Sequence, residues 1–318
     1  MSFSSKAKED LANERIKKPC CRLAALSALT QMTGSLLLAG GGKKKLRLTT
    51  ESYAVARWIV QLAKGLYDLE AEILVREHRR LGKTKSFTIL FQGEALREVL
   101  LDTGLMGHSD EGYSFEGGVP PRLVENECCR RAFLRGAFMG GGSISNPEKG
   151  YHLEFVVRTD RFALELCALL NQYELGAKEV LRKGSNVVYL KESEKIKEFL
   201  SIIGAHGALL DLEDVRTYKD FRNNLNRKVN CETANIQKTI DAAGRQMENI
   251  RYLIQCGEFQ NLSPALRETA EARINNPEAS LQELGEMLSE PVGKSGVNHR
   301  LRKLETLALE IRLEKGDA

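Results

Sequence analysis

CCRLAALSALTQMTGSL at residues 20–36 and CCRRAFLRGAFMGGGSI at 128–144 align at an offset of 108, with seven identities in seventeen positions. The likeness continues downstream. LTTESYA at 48–54 matches VRTDRFA at 157–163 at an offset of 109, and each is followed by an apolar helical run. Self-similarity over about a hundred residues marks a duplicated supersecondary unit rather than two chance motifs.

Periodicity assigns the parts of each copy. A helix ending in Gly-Ser is followed by a strand at Leu46–Thr50 or Leu153–Thr159 and a helix at Tyr53–Tyr67 or Phe162–Tyr173. Two strands follow (Ala71–Arg76 and Ser86–Phe91; Lys178–Arg182 and Asn186–Leu190), then a closing helix (Glu94–Thr103; Glu194–Ile203). Lys43–Lys45 after Gly40–Gly42, and Asn146–Gly150 in the second copy, carry turn chemistry and predict hairpin turns. The Gly-Gly-Gly-Lys run is not a phosphate loop, because its spacing to a Lys-Ser/Thr pair is wrong. The expected fold class is α+β: a duplicated αββαββα unit, with repeats at about 20–107 and 128–207 inside a domain spanning 1–215.

A duplicated αββαββα unit opening on a Gly-ended helix resembles the LAGLIDADG homing endonucleases. Leu26–Leu36 and Leu134–Ile144 stand where that motif stands, and Ser27, Ala28, Gly34, Gly136, Ala137 and Gly142 supply the small residues that its close helix pair needs. The resemblance also exposes a departure. The motif's catalytic acid falls on Thr33 in one copy and Gly141 in the other. No Asp or Glu lies between Glu14 and Glu51, or between Glu127 and Glu148. Metal-assisted phosphodiester cleavage needs carboxylate oxygens for its hard cation, so the expectation is a scaffold without nuclease chemistry, and no enzyme.

At 318 residues, 42% apolar and 28% charged, the chain is long enough for two or more domains, and its net charge of +4 is too small to name a partner. The N-terminal MSFSSKAKEDLANERIKKP mixes acids and bases without an apolar core segment, which predicts a cytoplasmic protein with no membrane partner. Seven cysteines are too few and odd in number for a disulfide framework. Adjacent pairs such as Cys128-Cys129 lack a second ligand pair at metal spacing, so the cysteines are read as buried thiols, with no metal and no cofactor.

The C-terminal fifty residues carry a different pattern. Ser263-Pro264 opens a helix that stops before Asn275-Asn276-Pro277; Ser280 with Glu283 forms a capping box, and Leu281, Leu284 and Leu288 share a face. Gly285 permits a close crossing. After Glu290-Pro291-Val292-Gly293, Ser295 is expected to cap a helix whose Val297, Leu301, Leu304, Ala308 and Ile311 point inward. That is a helix-turn-helix pattern over 261–318. Its outward face gathers Lys294, Ser295, Asn298, His299, Arg300, Arg302 and Lys303 with no carboxylate, although Ser263–Arg312 as a whole has seven basic and eight acidic residues. This is the charge arrangement of a recognition helix at base edges.

Between the domains, 216–260 reads as a basic linker and a connecting helix. RTYKDFRNNLNRKVN at 216–230 sets five basic residues against Asp220, and Arg222, Asn226, Arg227 and Lys228 suit phosphate contact. The order of parts, with NRKVNCETAN and GKSGVNHRL inside it, resembles the WhiA family of sporulation and cell-division regulators. The resemblance implies a cytoplasmic, nucleoid-associated transcription regulator that binds double-stranded DNA, with the transcription machinery or another regulator as a further partner. Two rivals are an active LAGLIDADG-type DNA endonuclease, against which the missing acids speak, and a protein-interaction scaffold with accessory DNA binding.

Overall fold

The computed structural model describes residues 2–38, 44–78, 84–109, 112–115 and 117–315. They form two units, Met1–Lys219 and Asp220–Ala318.

In the first unit, α1 (Phe3–Asn13) leads into α2 (Pro19–Thr33), β1 (Gly34–Leu38), β2 (Lys44–Thr50), α3 (Tyr53–Tyr67), β3 (Ala71–His78), β4 (Thr84–Phe91) and α4 (Leu96–Asp102). A hairpin, β5 (Met106–Ser109) and β6 (Gly112–Phe115), precedes the second copy. That copy is α5 (Glu127–Gly141), β7 (Gly142–Ile144), β8 (Leu153–Val157), α6 (Asp160–Asn171), β9 (Lys178–Arg182), β10 (Ser185–Leu190) and α7 (Ser193–Ile203). Both copies are αββαββα, and their antiparallel sheets run β1-β2-β4-β3 and β7-β8-β10-β9, the same order twice.

Alternation sets the sheet faces. In β8, Leu153, Phe155 and Val157 are buried while Glu154 and Val156 turn away from the core. The strand ends at Val157 rather than Thr159, because the Thr159 hydroxyl accepts from the Phe162 N–H at 3.2 Å and caps α6. The turn at Asn146–Gly150 is present: the Asn146 carboxamide accepts from the Glu148 N–H at 2.9 Å and its carbonyl from Lys149 at 2.9 Å. The companion turn at 40–43 lies outside the described residues. The β5–β6 hairpin, unassigned from sequence, has strands too short to show a period.

The two motif helices α2 and α5 form the centre of this unit. Gly136 lies so close to α2 that an added Cβ would meet the Ala25 backbone, with Ala25 Cα at 2.9 Å. Ala24, Ala25, Ala28, Phe133, Ala137 and Phe138 are fully or almost fully buried around the crossing. The reading of all seven cysteines as buried thiols needs correction. Cys21 and Cys129 are buried, but Cys20 and Cys231 are exposed and Cys128, Cys167 and Cys256 are half-buried. Adjacent residues on a helix point in different directions, so only one of each Cys-Cys pair can face the core. Burial pushes the Cys129 thiol up to about 11 and the Cys21 thiol higher still.

The segment expected to be a linker is helical instead. Residues 216–255 belong to α8 (His206–Gln255), a single helix of 50 residues that passes through the unit boundary. The stretch from Ala208 to Ala243 contains neither Gly nor Pro, so nothing in it breaks the helix. Every residue from 220 to 241 is exposed.

In the second unit, the end of α8 packs with α9 (Pro264–Asn275), α10 (Leu281–Glu286) and α11 (Lys294–Lys315). Its core is Ile250, Leu253, Leu262, Leu266, Ala270, Leu284, Leu288, Val297, Leu301, Leu304 and Ala308, which includes the inward positions read from sequence except half-buried Ile311 and Leu281. Among the described residues no helix is long and apolar enough to cross a membrane.

Candidate nucleic-acid interface

The outward face of α11 depends on how firmly its inward face is held. The capping box forms as the sequence predicts: the Ser280 hydroxyl accepts from the Glu283 N–H at 3.3 Å, and the Glu283 carboxylate accepts from the Ser280 N–H at 2.7 Å. That second bond, to Glu283's carboxylate, also lowers its pKa. Buried Arg273 donates to the carbonyls of Pro277 at 3.3 Å and Ala279 at 2.7 Å, fixing the α9–α10 turn. The α10–α11 connection is longer than a minimal turn, and the Val292 N–H closes it by donating to the Gly285 carbonyl at 3.0 Å. An added Cβ on Gly285 would meet the Val292 backbone and, at 3.2 Å, the Val297 side chain of α11, so the small residue serves both this loop and the close approach of α10 to α11.

The cap of α11 differs from expectation. Val297 N–H donates to the Gly293 carbonyl at 3.2 Å, so the helix starts after Gly293, and Ser295 lies exposed in its first turn instead of capping it. Lys294, Ser295, His299, Arg302 and Lys303 are exposed and Asn298 is half-buried. Arg300 is half-buried too and donates to the Thr269 hydroxyl at 3.4 Å, tying α11 to α9. At the far end, Arg312 lies over the Tyr252 ring, 4.6 Å from its centre. The result is a helix held along one side, with polar and basic groups presented on the other.

Of the five basic residues expected to serve the linker, two are engaged within the first unit. Arg216 pairs with Glu194 and, at 4.0 Å, with Glu213. Lys219 donates to the Pro147 carbonyl at 2.6 Å and sits 4.9 Å from the centre of the Tyr151 ring. Arg222, Asn226, Arg227 and Lys228 are exposed on α8. Arg222 and Asn226, one turn apart, share a face; Arg227 and Lys228 project from other sides of the helix, each more than about 100° round from that face.

The ends of the two motif helices meet. A Cβ on Gly140 would touch the Thr33 methyl at 3.5 Å, and one on Gly141 would meet the Met32 side chain. The Thr33 hydroxyl donates to the Leu29 carbonyl at 2.9 Å, within its own helix. Where α2 ends, the Arg158 guanidinium donates to the carbonyls of Thr33, at 3.3 Å, and Gly34. Sequence reading missed Arg158, since nothing near it in the chain points to residue 33.

A duplicated LAGLIDADG-like fold without the motif acids, continuing into a helix-turn-helix, defines a two-part class of protein. Family models describe its three sections: "WhiA N-terminal LAGLIDADG-like domain" matches residues 19–106, "WhiA LAGLIDADG-like domain" 130–222 and "WhiA C-terminal HTH domain" 225–308. The chain belongs to the WhiA family. It is 51% identical over 309 residues to a "Probable cell division protein WhiA" of Heliobacterium modesticaldum, covering 97% of this chain and 96% of that one. The Alkaliphilus metalliredigens protein of the same description is 47% identical, with 97% and 98% covered. The crystal structure of full-length DUF199/WhiA from Thermatoga maritima superimposes with a TM-score of 0.61 at 24% identity, over 98% of this chain and 99% of that one.

Proposed function

We propose that this protein is a sequence-specific DNA-binding transcription regulator acting in cell division or sporulation, cytoplasmic and associated with the nucleoid. The observation that carries the reading is the outward face of α11, where Lys294, Ser295, Asn298, His299, Arg302 and Lys303 stand together without a carboxylate, over a packed inner face. Amide, imidazole and guanidinium groups on a helix suit base edges in a major groove, and flanking lysines suit phosphates. Arg300 orients the helix from within the unit. Arg222, Asn226, Arg227 and Lys228 add a phosphate-binding stretch on α8. The cell-division role is supported by the descriptions of relatives about half identical to this chain.

The LAGLIDADG-like domain acts in this reading as a scaffold and not as an enzyme. Thr33 and Gly141 offer no carboxylate, and a guanidinium stands at the end of α2, where a divalent cation would be repelled. The transcription machinery or another regulator is the expected protein partner. Genome-wide binding followed by footprinting of the recovered sites tests the proposal. A shared sequence protected by the wild-type chain supports it; uniform occupancy without a shared sequence overturns it.

A further inference from the structure

The Cys-Cys pairs open the two aligned motif helices, and the fold brings both to one place. Cys20 and Cys21 are the second and third residues of α2, and Cys128 and Cys129 the second and third of α5. All four sulfur atoms lie within 4.8 Å of one another. Within each pair the sulfurs are 4.0 Å apart, and Cys21 Sγ donates to the Cys128 carbonyl at 3.5 Å across the interface.

We infer that Cys20, Cys21, Cys128 and Cys129 form a tetrathiolate site for one zinc ion, which joins the N-terminal ends of α2 and α5. Four sulfurs bonded to zinc at about 2.3 Å stand about 3.8 Å apart at the corners of a tetrahedron, close to the spacing within the two pairs. The set is soft and holds no carboxylate, which selects zinc over magnesium or calcium. It is also too tight for an iron–sulfur cluster: in a four-iron cluster each cysteine takes a different iron, and in a two-iron cluster the two irons hold two cysteine pairs apart, so in both the four sulfurs must spread wider than 4.8 Å. The surroundings offset the negative charge of four thiolates. Both pairs sit in the first turn of a helix, where the helix dipole favours negative charge, and the open recess beside Cys21 and Cys128 is lined by Arg15, Arg131 and Arg135 against Glu14 and Glu127, an excess of positive charge. Cys20 is exposed and gives an ion its way in.

The site is unrelated to the nuclease position. It lies at the opposite ends of the same 15-residue helices, roughly 20 Å from Thr33 and Gly141 at 1.5 Å per residue. An ion there would tie the two copies of the repeat at their pseudo-twofold interface.

Zinc content of the full-length chain, purified under reducing conditions and desalted, tests this directly. One equivalent per chain is expected, lost in a Cys20→Ser/Cys128→Ser variant and kept in Cys167→Ser/Cys256→Ser. A second measurement needs no variant: zinc should protect exposed Cys20 from alkylation in the wild-type protein, and a chelator should expose it, as read by peptide mass spectrometry. Replacement by cobalt should give the visible bands of tetrahedral thiolate coordination. Unchanged alkylation of Cys20 with and without zinc would overturn the site. So would acid-labile sulfide with iron, or a disulfide joining the two pairs in protein isolated under reducing conditions.

Discussion

Arg158 donates to the main-chain carbonyl of Thr33 at 3.3 Å, across 125 positions of sequence. The carbonyl end of a helix carries partial negative charge, so a guanidinium there is favourable, and it places a permanent cation beside the spot where a nuclease of this fold would need a metal. The expected outcome is no nicking of supercoiled or specific DNA in magnesium or manganese above a heat-killed control. Arg158→Ala should leave that result unchanged while lowering stability by about 0.5–2 kcal/mol. Nicking abolished by a change in either motif helix would overturn the scaffold reading.

Two helical glycines should respond to alanine with opposite signs. At Gly136 a methyl group meets the Ala25 backbone, which cannot swing aside, so Gly136→Ala should cost about 1–3 kcal/mol. At Gly244, inside α8, nothing lies within 4 Å of an added Cβ, so Gly244→Ala should gain about 0.5–1 kcal/mol in helix propensity. Chemical denaturation of the two variants reads both.

Arg302→Ala should cost about 1–3 kcal/mol on the preferred DNA site, and much less on random DNA, as expected for a bidentate guanine contact. The unit should stay folded, because Arg302 is exposed and Val297, Leu301 and Leu304 beneath it are untouched. Asn298 and His299 should also reduce discrimination when truncated. Titration of specific against random duplexes checks this. Equal losses on both would make Arg302 a phosphate contact.

The α8 residues should behave differently. Replacing Arg222, Arg227 and Lys228 by Ala should weaken specific and random DNA alike. The salt dependence should flatten by roughly one unit of slope for each phosphate that is no longer neutralised. Affinity measured across a salt series reads the slope. A loss confined to preference between sequences would mean that α8 reads bases.

Burial lowers the Lys8 ammonium to about 8, with Glu51 opposing that shift and the Phe138 ring 5.6 Å away. The unfolded chain holds this proton up to about 10.5, so between the two values it binds more protons than the folded chain, and stability from this group rises with pH across that window. Lys8→Met should remove the rise and be more stable than wild type at neutral pH, by on the order of 1 kcal/mol. Thermal unfolding of the two proteins from neutral to alkaline pH tests the sign.

Sequence by itself determined the duplicated αββαββα unit, the missing acids at Thr33 and Gly141, the capping box at Ser280 and Glu283, and the inward row from Val297 to Ala308. These are legible because helix and strand periods and cap chemistry act over a few residues, and the repeat registers its own halves. The unbroken α8 was also legible, in the lack of Gly and Pro from 208 to 243, but its polar composition reads as a linker. Only the tertiary structure decided that Arg158 reaches Thr33, that Arg216 and Lys219 are engaged within the first unit, and that Arg300 turns back to Thr269. It alone closed the distance between Cys20-Cys21 and Cys128-Cys129, although the 108-residue offset had set both pairs at equivalent helix starts. Spacing along a chain fixes which way side chains point on one element. Which atoms then meet depends on how elements far apart in sequence pack, and here the close approach at Gly136 brings the ends of α2 and α5 together.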